Sequence, residues 1–212
     1  MKIFIAVPTY ENIYPDTFKA IYGLNRGDHW VVFDFVRGYD CATARNSIGR
    51  QAIAEKSDYV LMVDNDVTIP GEALINLLSH GEDAVLGFYA HRDSGRPYDG
   101  ATSVCKLYKP NGEKWYNYPH ESQYTIDELR TMRENGEYKV QIHGGGMGCA
   151  LIKTELFEKL EFPWFAWVNY PNGRVLGEDL YFCEVLKKNN IPVYTDTRVA
   201  CGHMMRNIQE VR

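Results

Sequence analysis

The chain of 212 residues has no C-x-x-C pair, no block of lysine and arginine, no internal repeat and no low-complexity tract. Each absence excludes something. Its five cysteines (Cys41, Cys105, Cys149, Cys183 and Cys201) are odd in number and scattered. Such a set argues against a disulfide framework and for reduced thiols in a cytoplasmic setting. Net charge is −5 and no basic patch stands out, so no nucleic-acid partner is expected. The N-terminal MKIFIAVPTY holds one lysine and a short apolar run. That is too little for a signal peptide and far below the ~20 residues of a transmembrane segment, so none is expected. Hydrophobic residues make up 45% and charged residues 24%, which excludes disorder and suits one domain with a substantial core.

What is present is an alternation of strands and helices. Ile3–Val7, Trp30–Val36, Tyr59–Val63 and Ala84–Tyr89 read as buried strands, the first stopped by Pro8. Pro15–Leu24, Ala42–Lys56 and Glu72–Leu78 read as helices between them. This order implies a mainly parallel sheet covered on both faces. Residues 91–141 are polar and tyrosine-rich. There Thr102–Tyr108 and Lys114–Tyr118 flank K-P-N-G-E as a hairpin, and Thr125-x-x-Glu128 opens a short helix as a capping box. Val140–His143 leads into the glycine run and apolar strand of HGGGMGCALIKT, GEDLYFCEVLKKNN is a helix, and Pro192–Tyr194 a last strand. Residues 1–90 thus read as a nucleotide-binding half and 91–212 as an elaborated half that shapes a second pocket of one domain.

The strand Tyr59–Val63 runs straight into Asp64-Asn65-Asp66. In open α/β sheets, ligands sit beyond the carboxyl ends of the strands. Residues two apart in extended chain project to one side, so these two carboxylates repel unless a cation lies near. Oxygen donors suit Mg²⁺ or Mn²⁺, ions that keep positions open for substrate phosphates. A calcium loop is excluded, because its sixth and twelfth positions would be Ile69 and Ile75. The bland alternative has one aspartate capping the turn and the other solvated.

The chain resembles the GT-A-fold glycosyltransferases of the broad family-2 type. The resemblance rests on FIAVPTYE, on ATARNSIGR, on VDND, on GGGMGCALIKTELFEKL, on GEDLYFCEVLKKNNIPVYTDTRV and on CGHM, in that order and covering nearly the whole chain. It implies an α/β fold of GT-A (Rossmann-like) type and a small stand-alone transferase of bacterial, phage or large-virus kind, working in the cytoplasm (of the host, if viral). The implied activity is transfer of a sugar from a nucleotide diphosphate sugar, UDP-sugar by family frequency, to a hydroxyl of a carbohydrate or other acceptor. Pro8, Thr9, Tyr10, Glu11, Asn65 and Arg45 would bind the nucleotide. Asp34 would contact the base, although its strand ends VFDFVRG rather than in an Asp-Gly-Ser type turn. Asp64, Asp66 and the late His203 would hold Mn²⁺ or Mg²⁺, imidazole tilting the choice toward Mn²⁺. Asp179, beside Glu178, would be the general base. Gly145 and Gly146 would line the acceptor side.

Several of these residues carry a second meaning. Acids are common in a first helical turn without any catalytic role. Arg45 also reads as a helix-packing residue. Trp164 and Trp167 form either a sugar-stacking wall or core packing. VLMVDNDVT matches the D-x-D-x-T of haloacid-dehalogenase-like phosphatases too, with Asp64 as nucleophile and Asp66 as acid/base, although two strands precede it here. A non-catalytic sugar-binding module is the third reading.

Overall fold

The computed structural model describes residues 1–10, 12–90, 103–110 and 123–204. In chain order the elements are β1 (Lys2–Thr9), α1 (Pro15–Tyr22), β2 (Trp30–Arg37), α2 (Cys41–Ala54), β3 (Tyr59–Val63), β4 (Val67–Thr68), α3 (Ala73–Leu78) and β5 (Ala84–Phe88). Then come β6 (Ser103–Tyr108), β7 (Gln123–Thr125), α4 (Ile126–Glu134), β8 (Lys139–Ile142), β9 (Cys149–Lys153) and α5 (Glu155–Lys159). The last are β10 (Val168–Asn169), β11 (Val175–Leu176), α6 (Glu178–Lys188), β12 (Val193–Ala200) and β13 (Gly202–His203).

Seven strands form one sheet in the order β2-β1-β3-β9-β5-β12-β8. β2, β1, β3, β5 and β12 run one way, while β9 and β8 are reversed. The sheet is therefore mainly parallel, as the alternation of elements implied. Strand periodicity assigns its two faces. Phe4, Ala6, Val60, Met62, Ala84 and Leu86 point to a core covered by α2, α4, α5 and α6. Ile3, Ile5, Val7, Leu61, Val63 and Val85 point to a second core under α1 and α3.

Two expectations need correction. Pro8 does not stop the first strand: β1 continues to Thr9, with Pro8 in register with Val36. Its β3 partner ends at Ala6–Met62, so Pro8 stands where one neighbour has already gone and a missing N–H is tolerated. The last strand is longer than Pro192–Tyr194, because its polar residues are satisfied inside the fold. Thr195 Oγ1 donates to Leu86 O (3.0 Å), Asp196 lies 2.7 Å from His80 Nε2, and Thr197 Oγ1 donates to Glu137 O (2.9 Å). β6 pairs with β7, and the expected hairpin strand Lys114–Tyr118 lies outside the described residues. The capping box is as expected: Thr125 Oγ1 accepts from Glu128 N (3.2 Å) and Glu128 Oε2 accepts from Thr125 N (2.8 Å). Among the described residues no helix is long and apolar enough to cross a membrane.

Candidate functional site

The carboxyl ends of β1, β2 and β3 open onto a cavity of about 180 Å³ lined by Pro8, Thr9, Tyr10, Tyr39, Cys41 and Asn65. Of the expected nucleotide residues it gathers Pro8, Thr9, Tyr10 and Asn65, while Glu11 lies outside the described residues. Asn65 also builds the rim: its Nδ2 donates to Asn12 O (2.6 Å) and its carbonyl accepts from Tyr14 N (3.0 Å). Asp34 is not at the cavity. It sits in mid β2, level with Ala6, and its Oδ1 accepts from Phe35 N (2.8 Å). β2 runs on to Arg37, so the acid at the strand end is Asp40, which caps α2 by accepting from Thr43 N (2.7 Å). Gly38 permits this turn, since a Cβ there would stand 2.4 Å from Ala44 N. The turn presents Tyr39, 93% exposed, opposite Tyr10, 66% exposed. Sequence reading missed Tyr39 and Asp40 because it ended β2 too early.

Asp64 and Asp66 part company at the end of β3. Asp64 N donates to Gly148 O (2.9 Å), and its Oδ1 accepts from Arg45 Nη2 at 2.7 Å. Arg45 is buried in α2, and its Nη1 donates to Glu178 Oε1. One guanidinium thus joins the end of β3 to the start of α6. Burial alone would lower its pKa, but the Asp64 and Glu178 carboxylates outweigh that and raise it. Burial pushes the Glu178 carboxyl above the usual range, Arg45 opposes the shift, and the neighbouring Asp179 charge adds to it. Arg45 Nε and Glu178 Oε2 are buried without a hydrogen-bond partner.

Asp66 meets the chain's late histidine instead. β13 pairs antiparallel with β4, His203 opposite Val67 and Gly202 opposite Thr68. Met204 N donates to Asp66 O (2.8 Å). A Cβ on Gly202 would stand 2.3 Å from Thr68 Oγ1, so glycine allows the close approach. Asp66 Oδ1 and His203 Nε2 face each other at 3.7 Å, beyond hydrogen-bond reach. His203 Nδ1 lies 3.0 Å from Ala90 O, which can only accept. Nδ1 is therefore the donor to Ala90 O, and Nε2 faces the carboxylate. Carboxylate with imidazole is a donor set that suits Mn²⁺. The pair that meets is thus Asp66 with His203, while Asp64 is engaged by Arg45. Among the described residues no group of three or more His, Cys, Asp or Glu side chains converges on one point.

Asp179 follows Glu178 in the first turn of α6 and takes a different partner, Lys106 Nζ of β6, 2.7 Å from its Oδ2. Trp167, about half exposed, stands beside this pair. Trp164 does not. It is 5% exposed, its indole N–H donates to Leu160 O (3.1 Å), and its ring lies edge-on to Phe157. Asn46 clamps the segment by accepting from Trp164 N and Phe165 N, each at 3.1 Å. With its faces covered, Trp164 is core rather than sugar wall. The glycine run is likewise packing. A Cβ on Gly145 would stand 2.7 Å from Leu86 and 3.1 Å from Leu107, and Gly146 is buried beside it. Lys106 was invisible in the sequence, lying 73 positions from Asp179 in a segment without a motif.

No protein-family model matches the chain, and no curated protein matches its sequence. Among solved structures it is similar to A197 from STIV, with TM-score 0.60 and 18% identity over 97% of this chain and 86% of that one. It is also similar to GalNAc-T7 in complex with UDP, GalNAc and Mn²⁺, with TM-score 0.65 and 9% identity over 98% of this chain. The chain spans 44% of the GalNAc-T7 chain. At such identities the likeness is one of fold. The chain has the GT-A fold expected from its motifs.

Proposed function

We propose that the chain is a metal-dependent glycosyltransferase that moves a sugar from a nucleotide diphosphate sugar, UDP-sugar foremost, to a hydroxyl of a carbohydrate or other acceptor. The observation that carries this reading is Arg45. Its buried guanidinium holds Asp64 and Glu178 together, so the D-x-D turn and the E-D turn meet at one cation, and Asn65 of the D-x-D turn lines the cavity at the ends of β1 and β2. GalNAc-T7, with UDP, GalNAc and Mn²⁺, supports the choice of donor and ion.

The roles follow from what each side chain meets. Pro8, Thr9, Tyr10, Tyr39 and Asn65 line the space for the nucleotide. Asp66 and His203 would hold Mn²⁺ or Mg²⁺, which when bound supplies positive charge to the departing diphosphate. Asp179 takes the proton of the acceptor hydroxyl. The acceptor oxygen then bonds to the anomeric carbon, and the bond from that carbon to the diphosphate breaks with its electron pair going to the diphosphate. Arg45 orients Asp64 and Glu178 rather than touching phosphate. It also weighs against the phosphatase reading, because a carboxylate held by a buried guanidinium is a poor nucleophile.

A thermal-shift screen of UDP, GDP and their sugars, with and without Mn²⁺, tests this. A ligand at a hundred times its dissociation constant should raise the melting temperature by roughly 5–10 °C, and only when Mn²⁺ is present. No shift with any nucleotide and ion, together with hydrolysis of p-nitrophenyl phosphate, would overturn it in favour of the phosphatase.

A further inference from the structure

Lys106 is the cation on the acceptor side that no motif explains. Its backbone lies at φ +53°, a left-handed conformation that costs a lysine about 1 kcal/mol or more. The register of β6 against β7 shifts between Ser103 and Tyr108, and this irregularity carries Lys106 to the first turn of α6. There its Nζ donates to Asp179 Oδ2 at 2.7 Å. The other oxygen, Oδ1, accepts the backbone N–H of Leu180 at 2.9 Å and lies close over residue 177. A Cβ on Gly177 would stand 3.0 Å from Asp179 Oδ1, 3.4 Å from Lys106 Nζ and 3.5 Å from the Trp167 ring. The backbone of Gly177, at φ −71° and ψ 157°, needs no glycine. What needs it is the room.

We propose that Lys106 is a positioning residue for transfer: it ties Oδ2 of Asp179 and keeps Oδ1 turned toward Gly177 and Trp167, the side from which the acceptor hydroxyl approaches. This rests on the glycosyltransferase reading above. The proton passes from the acceptor hydroxyl to Oδ1, while the ammonium stays on Oδ2 and keeps the carboxylate from turning away. The charged and titratable groups around Asp179 are Lys106 from β6, Arg45 from α2, and Glu178 and Cys183 from α6. Among the described residues, Lys106 is the cation hydrogen-bonded to Asp179, so its removal acts on Asp179 first.

The test compares wild type, Lys106→Met, Lys106→Arg and Gly177→Ala. Donor binding is read as the thermal shift with UDP and Mn²⁺. Transfer is read as UDP release from UDP-glucose, UDP-galactose, UDP-GlcNAc and UDP-GalNAc, with water or free sugars as acceptors. Lys106→Met should bind UDP as wild type does, lose about 10–100-fold in kcat, as expected on losing the partner that orients a working group, and move the acid limb of its pH–rate profile to higher pH. Lys106→Arg should recover part of the rate. Gly177→Ala should keep UDP binding and fold but raise the acceptor KM. A Lys106→Met protein within twofold of wild type in kcat, with an unmoved acid limb, would overturn the proposal while leaving the transferase reading in place. Wild type that neither binds UDP nor releases it from any donor would overturn both.

Discussion

Glu178 and Asp179 are neighbours in one helical turn and both are buried, each 5% exposed, yet their cations stand in different surroundings. Glu178 meets a guanidinium that is 2% exposed, and the pair is sealed between α2 and α6. Asp179 meets a lysine whose side chain is 35% exposed, with a half-exposed tryptophan beside it. The same chemistry, carboxylate on cation, thus does two jobs. In the sealed pair the attraction offsets a large desolvation cost and fixes where two halves of the site meet. In the second pair the lysine stays partly solvated, so less desolvation falls on the cation, and under the proposed function the geometry serves the reaction.

Substitutions should separate the two. Arg45→Met leaves Asp64 and Glu178 without their cation in a dry setting and should cost about 3–5 kcal/mol in urea unfolding. Lys106→Met leaves a buried carboxylate without its cation but removes a lysine that is already partly solvated, and should cost less than Arg45→Met, about 1–3 kcal/mol by the same measurement. Comparable losses in both would erase the distinction. The two tryptophans sharpen it. Trp164→Ala opens a cavity against Phe157 and Gly49 and should cost about 3–5 kcal/mol. Trp167→Ala should leave the unfolding midpoint nearly unchanged and instead raise the acceptor KM in the UDP-release assay.

How much of this was legible in the sequence follows from how local each signal is. The burial of Tyr59–Val63 and the two aspartates at its end are local, and the observed strand matches to the residue. The capping box of α4 is local too, and Thr125→Ala should cost about 1 kcal/mol of thermal stability. Three features were not local. Asp64 and Asp66 look alike as a motif, but Arg45 takes one and β13 brings His203 to the other. The pairing of Lys106 with Asp179 needs the displaced register of β6. The polar stretch at the end of β12 reads as a loop until His80 and Arg198 are seen to satisfy Asp196.

The smallest effect expected lies away from the site, where Glu184 accepts from the His143 ring at 3.2 Å. That bond, with Lys187 and Lys188 nearby, holds the Glu184 carboxyl below its ordinary value against the opposing effect of burial. A depressed carboxyl contributes stability that is present above its unfolded pKa and is lost as pH falls through the folded one. Glu184→Gln should therefore be less stable than wild type by under about 1 kcal/mol at neutral pH, and the gap should close below pH ~4. A gap that widens on acidification would reverse the assigned direction.

The central claim is that Asp66 and His203 hold a divalent ion that in turn holds a nucleotide diphosphate. Isothermal titration of UDP into wild type, Asp66→Asn and His203→Ala, each with Mn²⁺ and with a chelator, tests it most directly. Asn at 66 keeps the backbone carbonyl that accepts from Met204 N, so the turn survives the change. Wild type should bind UDP tightly only with Mn²⁺, Asp66→Asn should bind weakly with or without it, and His203→Ala should fall between. UDP affinity in wild type that is the same with Mn²⁺ and with chelator, or unchanged by Asp66→Asn, would contradict the account.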